Sequence, residues 1–124
     1  MGKGAATRET IVGEASRQML RVGLEGLSLG VLADSLALSK SGLFAHFKSK
    51  ETLQLAVLDA ATVRFSDEVV RPALARPAGR DRLEALFGRY LDWMATGCPF
   101  CVVAQEVDKL PDAVATAFAD GQAR

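Results

Sequence analysis

The chain has 124 residues, long enough to bury one respectable hydrophobic core or to join a small domain to part of another. Nearly half of it is apolar and aromatics are scarce, which points to a mostly helical protein; no apolar run approaches membrane-spanning length, and the opening Met-Gly-Lys-Gly-Ala-Ala lacks a secretion signal. A cytoplasmic location is expected, and there the two cysteines stay reduced. The net charge of zero hides an asymmetry: residues 1–50 hold seven Lys or Arg against four Asp or Glu, and the remainder eight against eleven. The basic first half is the one suited to an anion.

In chain order, Ile11, Ala15, Met19 and Leu20 recur at helical spacing and predict a helix from Thr7 to Val22, stopped by Gly23 and Gly26. Ser28 is placed to cap a second, short helix with Leu29, Leu32, Ala33 and Leu36 on its apolar face, and Ser39 a third from Lys40 to about Phe47. That third helix is too short to stand alone and must lean on Leu43, Phe44 and Phe47. Ser49 caps a fourth, with Glu51 near its positive end, which Pro72 is expected to terminate. After the Arg76-Pro77-Ala78-Gly79 loop, Leu83, Leu86, Phe87, Tyr90, Leu91 and Met94 form the clearest helical stripe, read as core, up to Gly97 and Pro99. An apolar segment, Val102 to Val107, and a last helix opening at Pro111 complete the chain. The expected fold class is all-α.

Two short helices joined by Ala37-Leu38-Ser39 and braced by longer ones can present the second to a DNA major groove or form an ordinary corner of a bundle. The decoration favours the groove. Ser28, Ser39, Lys40, Ser41, His46, Lys48 and Lys50 supply hydroxyls and cations, several at helix starts where a phosphate is best held. Gly42 inside the third helix costs about 1 kcal/mol of helix propensity relative to Ala, hard to justify by packing but sensible for close approach to DNA.

The run from Leu32 through Leu36-Ala37-Leu38-Ser39-Lys40-Ser41-Gly42-Leu43-Phe44-Ala45-His46-Phe47-Lys48-Ser49-Lys50-Glu51 to Leu53 closely resembles the signature of the TetR family of bacterial transcriptional regulators. Upstream, Arg8, Ile11, Ala15, Gly23 and Leu27-Ser28-Leu29 stand where that family has its first helix and the start of its second. Gly97-Cys98-Pro99-Phe100, Glu106 and Pro111 look, more loosely, like features of its ligand domains. The resemblance implies a three-helix DNA-binding domain over residues 1–52 and a partial helical effector-binding and dimerisation domain over 53–124. It also implies that a small-molecule effector releases a repressor from double-stranded DNA. Lys40, Ser41 and Gly42, with Ala45 or His46, would face base edges, Lys40 donating to guanine O6 and N7; Ser28, Ser39 and Lys50 would bind phosphates.

Two positions depart from the family pattern. Ala37 stands where a Gly is usual, so the turn either avoids a left-handed residue or accepts strain. Phe44 replaces the usual Tyr and lacks its phosphate-binding hydroxyl. Phe65, Phe87, Tyr90, Trp93, Met94 and Phe100 are the candidates for an effector pocket. Family members normally continue through further helices that pair two chains, so a homodimer on a palindromic operator is expected where those helices are present.

No catalytic constellation stands out, and no enzyme activity, metal or cofactor is expected. Cys98-Pro99-Phe100-Cys101 lacks the strand context of a redox enzyme and the further ligands of a zinc site. It reads best as small apolar residues at a helix start, with a redox-responsive regulator as the alternative. A helical protein-interaction module without DNA binding is the other competing reading.

Overall fold

The computed structural model describes residues 3–123, with side chains from Thr7 to Asp120. The described residues contain helices and connecting turns and no strand: α1 (Lys3–Val22), α2 (Leu29–Ser35), α3 (Lys40–His46), α4 (Lys50–Phe65), α5 (Arg71–Leu74), α6 (Arg80–Ala95), α7 (Pro99–Ala104) and α8 (Asp112–Ala123). All-α is therefore the fold class. No helix is long and apolar enough to cross a membrane among these residues.

Burial explains the path of the first four helices. Ile11, Ala15 and Met19, four residues apart, line the inner face of α1, and the turn after it sends Leu24 and Leu27 into the same core. Leu32 and Ala33 of α2, Leu43 of α3, Phe47 just beyond it, and Leu53, Val57 and Leu58 of α4 meet them. Each such side chain, fully buried, contributes about 1.5–3 kcal/mol, which stabilises two helices of seven residues that would not persist alone. The core does not stop at the fourth helix. Val103 of α7, Leu110 just before α8, and Val114 of α8 belong to it, so the later helices pack directly on α1 and α4.

A second, smaller cluster gathers Val69, Trp93 and Cys98, flanked by Phe65 and Phe100. It sits where α4 passes through a π-helical turn, Ser66–Val70, into α5. This turn corrects the expected stop at Pro72. Helical backbone runs on to Leu74, with Pro72 at the start of α5, because the wider π turn absorbs the change of register before the ring arrives. The helical path also begins earlier than expected, at Lys3 instead of Thr7. The helix start expected at Cys98-Pro99-Phe100-Cys101 is that of α7, which takes in Val102 and Val103 of the apolar segment and ends at Ala104, with Pro99 in its first turn.

The apolar stripe of α6 is a further correction. Leu83, Leu86, Phe87, Tyr90, Leu91 and Met94 are 39–64% exposed, whereas Trp93, outside the stripe, is only 3% exposed and packs inward. The helix turns its more polar side, with Arg82, Ala85 and Trp93 the more covered, toward α5 and the π turn, and leaves the stripe in solvent.

Candidate nucleic-acid interface

Three serines set the local geometry of residues 28–52. Ser28, Ser39 and Ser49 are the N-caps of α2, α3 and α4, and their side-chain oxygens accept from Val31 N at 3.3 Å, Gly42 N at 3.0 Å and Thr52 N at 3.1 Å. Each satisfies one of the N–H groups that a helix start leaves unpaired. A hydroxyl that accepts in this way keeps its own proton to donate, so Ser28 and Ser39, both exposed, can cap and bind a phosphate oxygen at once.

The connection between α2 and α3 is a Schellman motif. Leu38 N donates to Ala33 O at 2.9 Å and Ala37 N to Asp34 O at 3.3 Å, which forces Ala37 to φ 56°. Of the two possibilities for this turn, strain is the one realised: a residue with a Cβ occupies the left-handed region that glycine adopts freely. The motif turns the chain sharply enough for α3 to lie across α2 with Leu43 and Phe47 inward.

The outer face of α3 then carries Lys40, Ser41, Phe44 and Ala45, with Lys48 just beyond, all exposed, and His46 half-buried at its end. Phe44 is 53% exposed, an apolar ring held in solvent with its neighbours polar or small. Lys40 has no hydrogen bond or ion pair among the described residues, and its stem lies beside Gly30 of α2, where a Cβ would meet Lys40 Cε at 3.4 Å. Lys50 behaves differently. Its ammonium donates to the Glu25 carbonyl and ties the start of α4 to the turn after α1, with its remaining protons available to an anion. Gly42 has a packing reason that sequence reasoning missed: a Cβ there would stand 3.1 Å from the capping Ser39 Oγ.

Several contacts that hold this face are not legible in the sequence. The Arg8 guanidinium lies over the Phe47 ring, 4.6 Å from its centroid, and braces the end of α3 from α1. Gln54, buried in α4, donates to Leu24 O at 2.8 Å, and Gln18 of α1 donates to Ser35 Oγ of α2 at 3.2 Å. Glu106, beyond α7, accepts from Glu25 N at 2.9 Å. Its carboxylate fills the space beside Gly23, where a Cβ would lie 2.1 Å from Oε2 and where φ is +77°. A lone buried amide or a distant carboxylate carries no periodic signal, so only the fold reveals these ties.

The effector-pocket candidates divide. Phe65, Tyr90, Trp93 and Phe100 come together: the Phe65 ring meets Trp93 edge-on at 5.3 Å, Phe100 at 5.8 Å and Tyr90 at 6.4 Å, and Trp93 stacks on Phe100 at 6.2 Å. Phe87 and Met94 lie on the exposed stripe of α6 and do not join them. Two surface clefts lie elsewhere, one between α1 and α4 lined by Arg8, Val12 and Asp59, the other between α5 and α6 lined by Arg76, Arg89 and Asp92.

Two short helices held at a fixed angle by a Schellman turn, capped by serines and presenting one cationic, hydroxyl-bearing face, define a helix-turn-helix protein. Residues 11–57 match the family model described as bacterial regulatory proteins, tetR family. Among solved structures, the chain is similar to AibR, crystallised in complex with isovaleryl coenzyme A and operator DNA, with a TM-score of 0.76 and 20% identity over 93% of this chain. That likeness is one of fold, and the chain spans 63% of the length of the AibR chain. The search of curated proteins finds no match.

Proposed function

We propose that this chain is a sequence-specific DNA-binding transcriptional regulator, a cytoplasmic repressor that a small-molecule effector releases from its operator. The observation that carries this reading is the outer face of α3, where Lys40, Ser41 and the solvent-held Phe44 stand beside the capping hydroxyls of Ser39 and Ser28. An exposed phenylalanine among cations and hydroxyls costs solubility and brings nothing to the core; in a major groove it has thymine methyls and sugars to meet. Lys40 reads base edges with Ser41 and Gly42 and with His46 at the end of the helix, while Ser28, Ser39 and Lys50 hold phosphates.

Residues 1–52 act as the reading head and residues 53–124 as part of an effector-binding and dimerisation domain. The two share α4 and one continuous core. The aromatic group Phe65, Tyr90, Trp93 and Phe100 is the candidate effector contact, at the point where α4 becomes α5. An effector seated there would bear on the helix whose first residue, Lys50, is bonded to the reading head. AibR, with the same fold, was crystallised with both isovaleryl coenzyme A and operator DNA, which supports a regulator with two ligands. Two copies on a palindromic operator are the expected assembly.

The test is selection of binding sequences from a randomised duplex pool at two salt concentrations, with the mass of the complex measured. A palindromic site, affinity falling steeply with salt and two chains per duplex are expected. Salt-insensitive binding to a protein partner and none to DNA would instead establish an interaction module, for which the exposed apolar stripe of α6 is the surface.

A further inference from the structure

The C-x-x-C sequence is the one motif that the DNA-binding reading leaves unused. Cys98 is the N-cap residue of α7, with extended backbone at φ −92° and ψ 112°. It is 8% exposed and packs with Trp93 and Val69 between the Phe65 and Phe100 rings. Cys101 stands three residues on, facing solvent. Both are free thiols, one helical turn apart in the chain.

A second, independent observation points at the same sulfur. Trp93 is almost wholly buried, and its indole N–H has no hydrogen-bond partner, which is costly for a buried donor. The Cys98 thiol, a weak acceptor when neutral and a strong one as thiolate, packs in the same buried cluster as this ring. On the ring itself rests the Arg64 guanidinium, 5.1 Å from the Trp93 centroid, which adds positive charge to the pocket wall. Burial, the largest single influence, raises the Cys98 pKa, yet the Cys101 N–H, the Trp93 indole, the Cys101 thiol and the Phe100 N–H together outweigh it and hold the pKa below the usual thiol value. Cys101 moves the other way, raised first by its bond with Cys98 and then by burial. A buried sulfur packed beside an unpartnered indole N–H, and an exposed thiol three residues on, are the two halves of a peroxidatic pair.

We propose that Cys98 and Cys101 form a hydroperoxide-reactive dithiol, with Cys98 as nucleophile, Cys101 as resolving thiol and the Trp93 indole N–H as the donor that stabilises the charged sulfur. The Cys98 sulfur attacks the terminal oxygen of a hydroperoxide, the O–O bond breaks, and the alkoxide or hydroxide that leaves takes up the proton lost by the Cys98 thiol. Cys98 is then a sulfenic acid. The Cys101 sulfur attacks it, the S–O bond breaks, and the departing hydroxide takes the Cys101 proton as water. Two thiols have lost two electrons and two protons to form one disulfide, and the hydroperoxide has become an alcohol, or water, plus water. Helical neighbours at this spacing hold their Cβ atoms about 5–6 Å apart and a disulfide needs about 3.8 Å, so closure draws in the first turn of α7 and shifts Phe100 on the Trp93 ring. This chemistry stands whether or not the chain binds DNA.

The reduced 124-residue chain is treated with hydrogen peroxide, and free thiols, intact mass and the fluorescence of Trp93, its single tryptophan, are followed together. Loss of both thiols and of two hydrogens per chain, a matching fluorescence change, and reversal by dithiothreitol are expected, at a rate about tenfold or more above free cysteine at neutral pH. The exposed-site variant Cys101→Ser should stop at a sulfenic acid that dimedone traps on Cys98. Trp93→Phe, which keeps a ring and removes the N–H, should move the pH profile of Cys98 alkylation upward. Oxidation no faster than that of free cysteine, disulfides only between chains, or an alkylation profile unmoved in Trp93→Phe would overturn the proposal.

Discussion

Ala37 holds a left-handed backbone that glycine would adopt at no steric cost. Ala37→Gly is therefore expected to stabilise the chain by about 1 kcal/mol, measured as a higher denaturation midpoint at constant slope. A lower midpoint would show that the turn is held by contacts of the methyl group. The two lysines of the reading head differ in kind. Lys40→Ala should cost about 1–3 kcal/mol at one or two base positions and leave other sequences little changed. Lys50→Ala removes the tie to Glu25 O as well as a cation, and should weaken all sequences alike. Selections run on both variants check this, and equal, sequence-blind losses would abolish the division of labour. At this scale the capping serines were legible because a cap is local chemistry: Ser28, Ser39 and Ser49 all do what their position before an apolar run implies. Gly42 was not, because its crowding depends on where the Ser39 hydroxyl points in three dimensions.

The element with most to teach is α6. Periodicity identified the helix and its apolar stripe, but a stripe does not say which side the rest of the molecule occupies. That choice was made by Trp93 packing against Phe65, Val69 and Cys98 at the π turn. Trp93→Ala is thus expected to cost about 3–5 kcal/mol, whereas Phe87→Gln and Leu91→Gln should each change stability by less than about 0.5 kcal/mol and improve solubility. Thermal melts of the three variants decide; a large loss in Leu91→Gln would mean that the stripe is covered in solution. Pro72 carries a similar lesson. Its effect is predictable in an α-helix and altered by a preceding π turn, and nothing in Ser66-Asp67-Glu68-Val69-Val70 announces that turn.

Over the whole molecule the charges balance, yet the first fifty residues carry a surplus of cations. Binding that rests on phosphate contacts from this half should fall by about 10³–10⁵ between 50 and 200 mM salt if 6–10 phosphates are neutralised per complex. Titrations of labelled duplex across that range measure it, and a flat response would exclude the phosphate contact assigned to Lys50. The basic half is also not self-sufficient. Its core extends to Val103, Leu110 and Val114, and Glu106→Ala, which removes the acceptor for Glu25 N, should loosen the turn after α1 by about 1 kcal/mol. Faster amide exchange at Glu25 is the expected reading.

Glu25 and its carboxylate partner are 81 residues apart in the chain. A ribosome adding about 5–20 residues per second releases the helix-turn-helix several seconds before Glu106 emerges to close the turn at Gly23. For that interval the newborn reading head lacks its last fastening, and its inner apolar surface lacks the cover of α7 and α8. The order of synthesis thus opposes the order of packing: the segment made first is the one that is completed last.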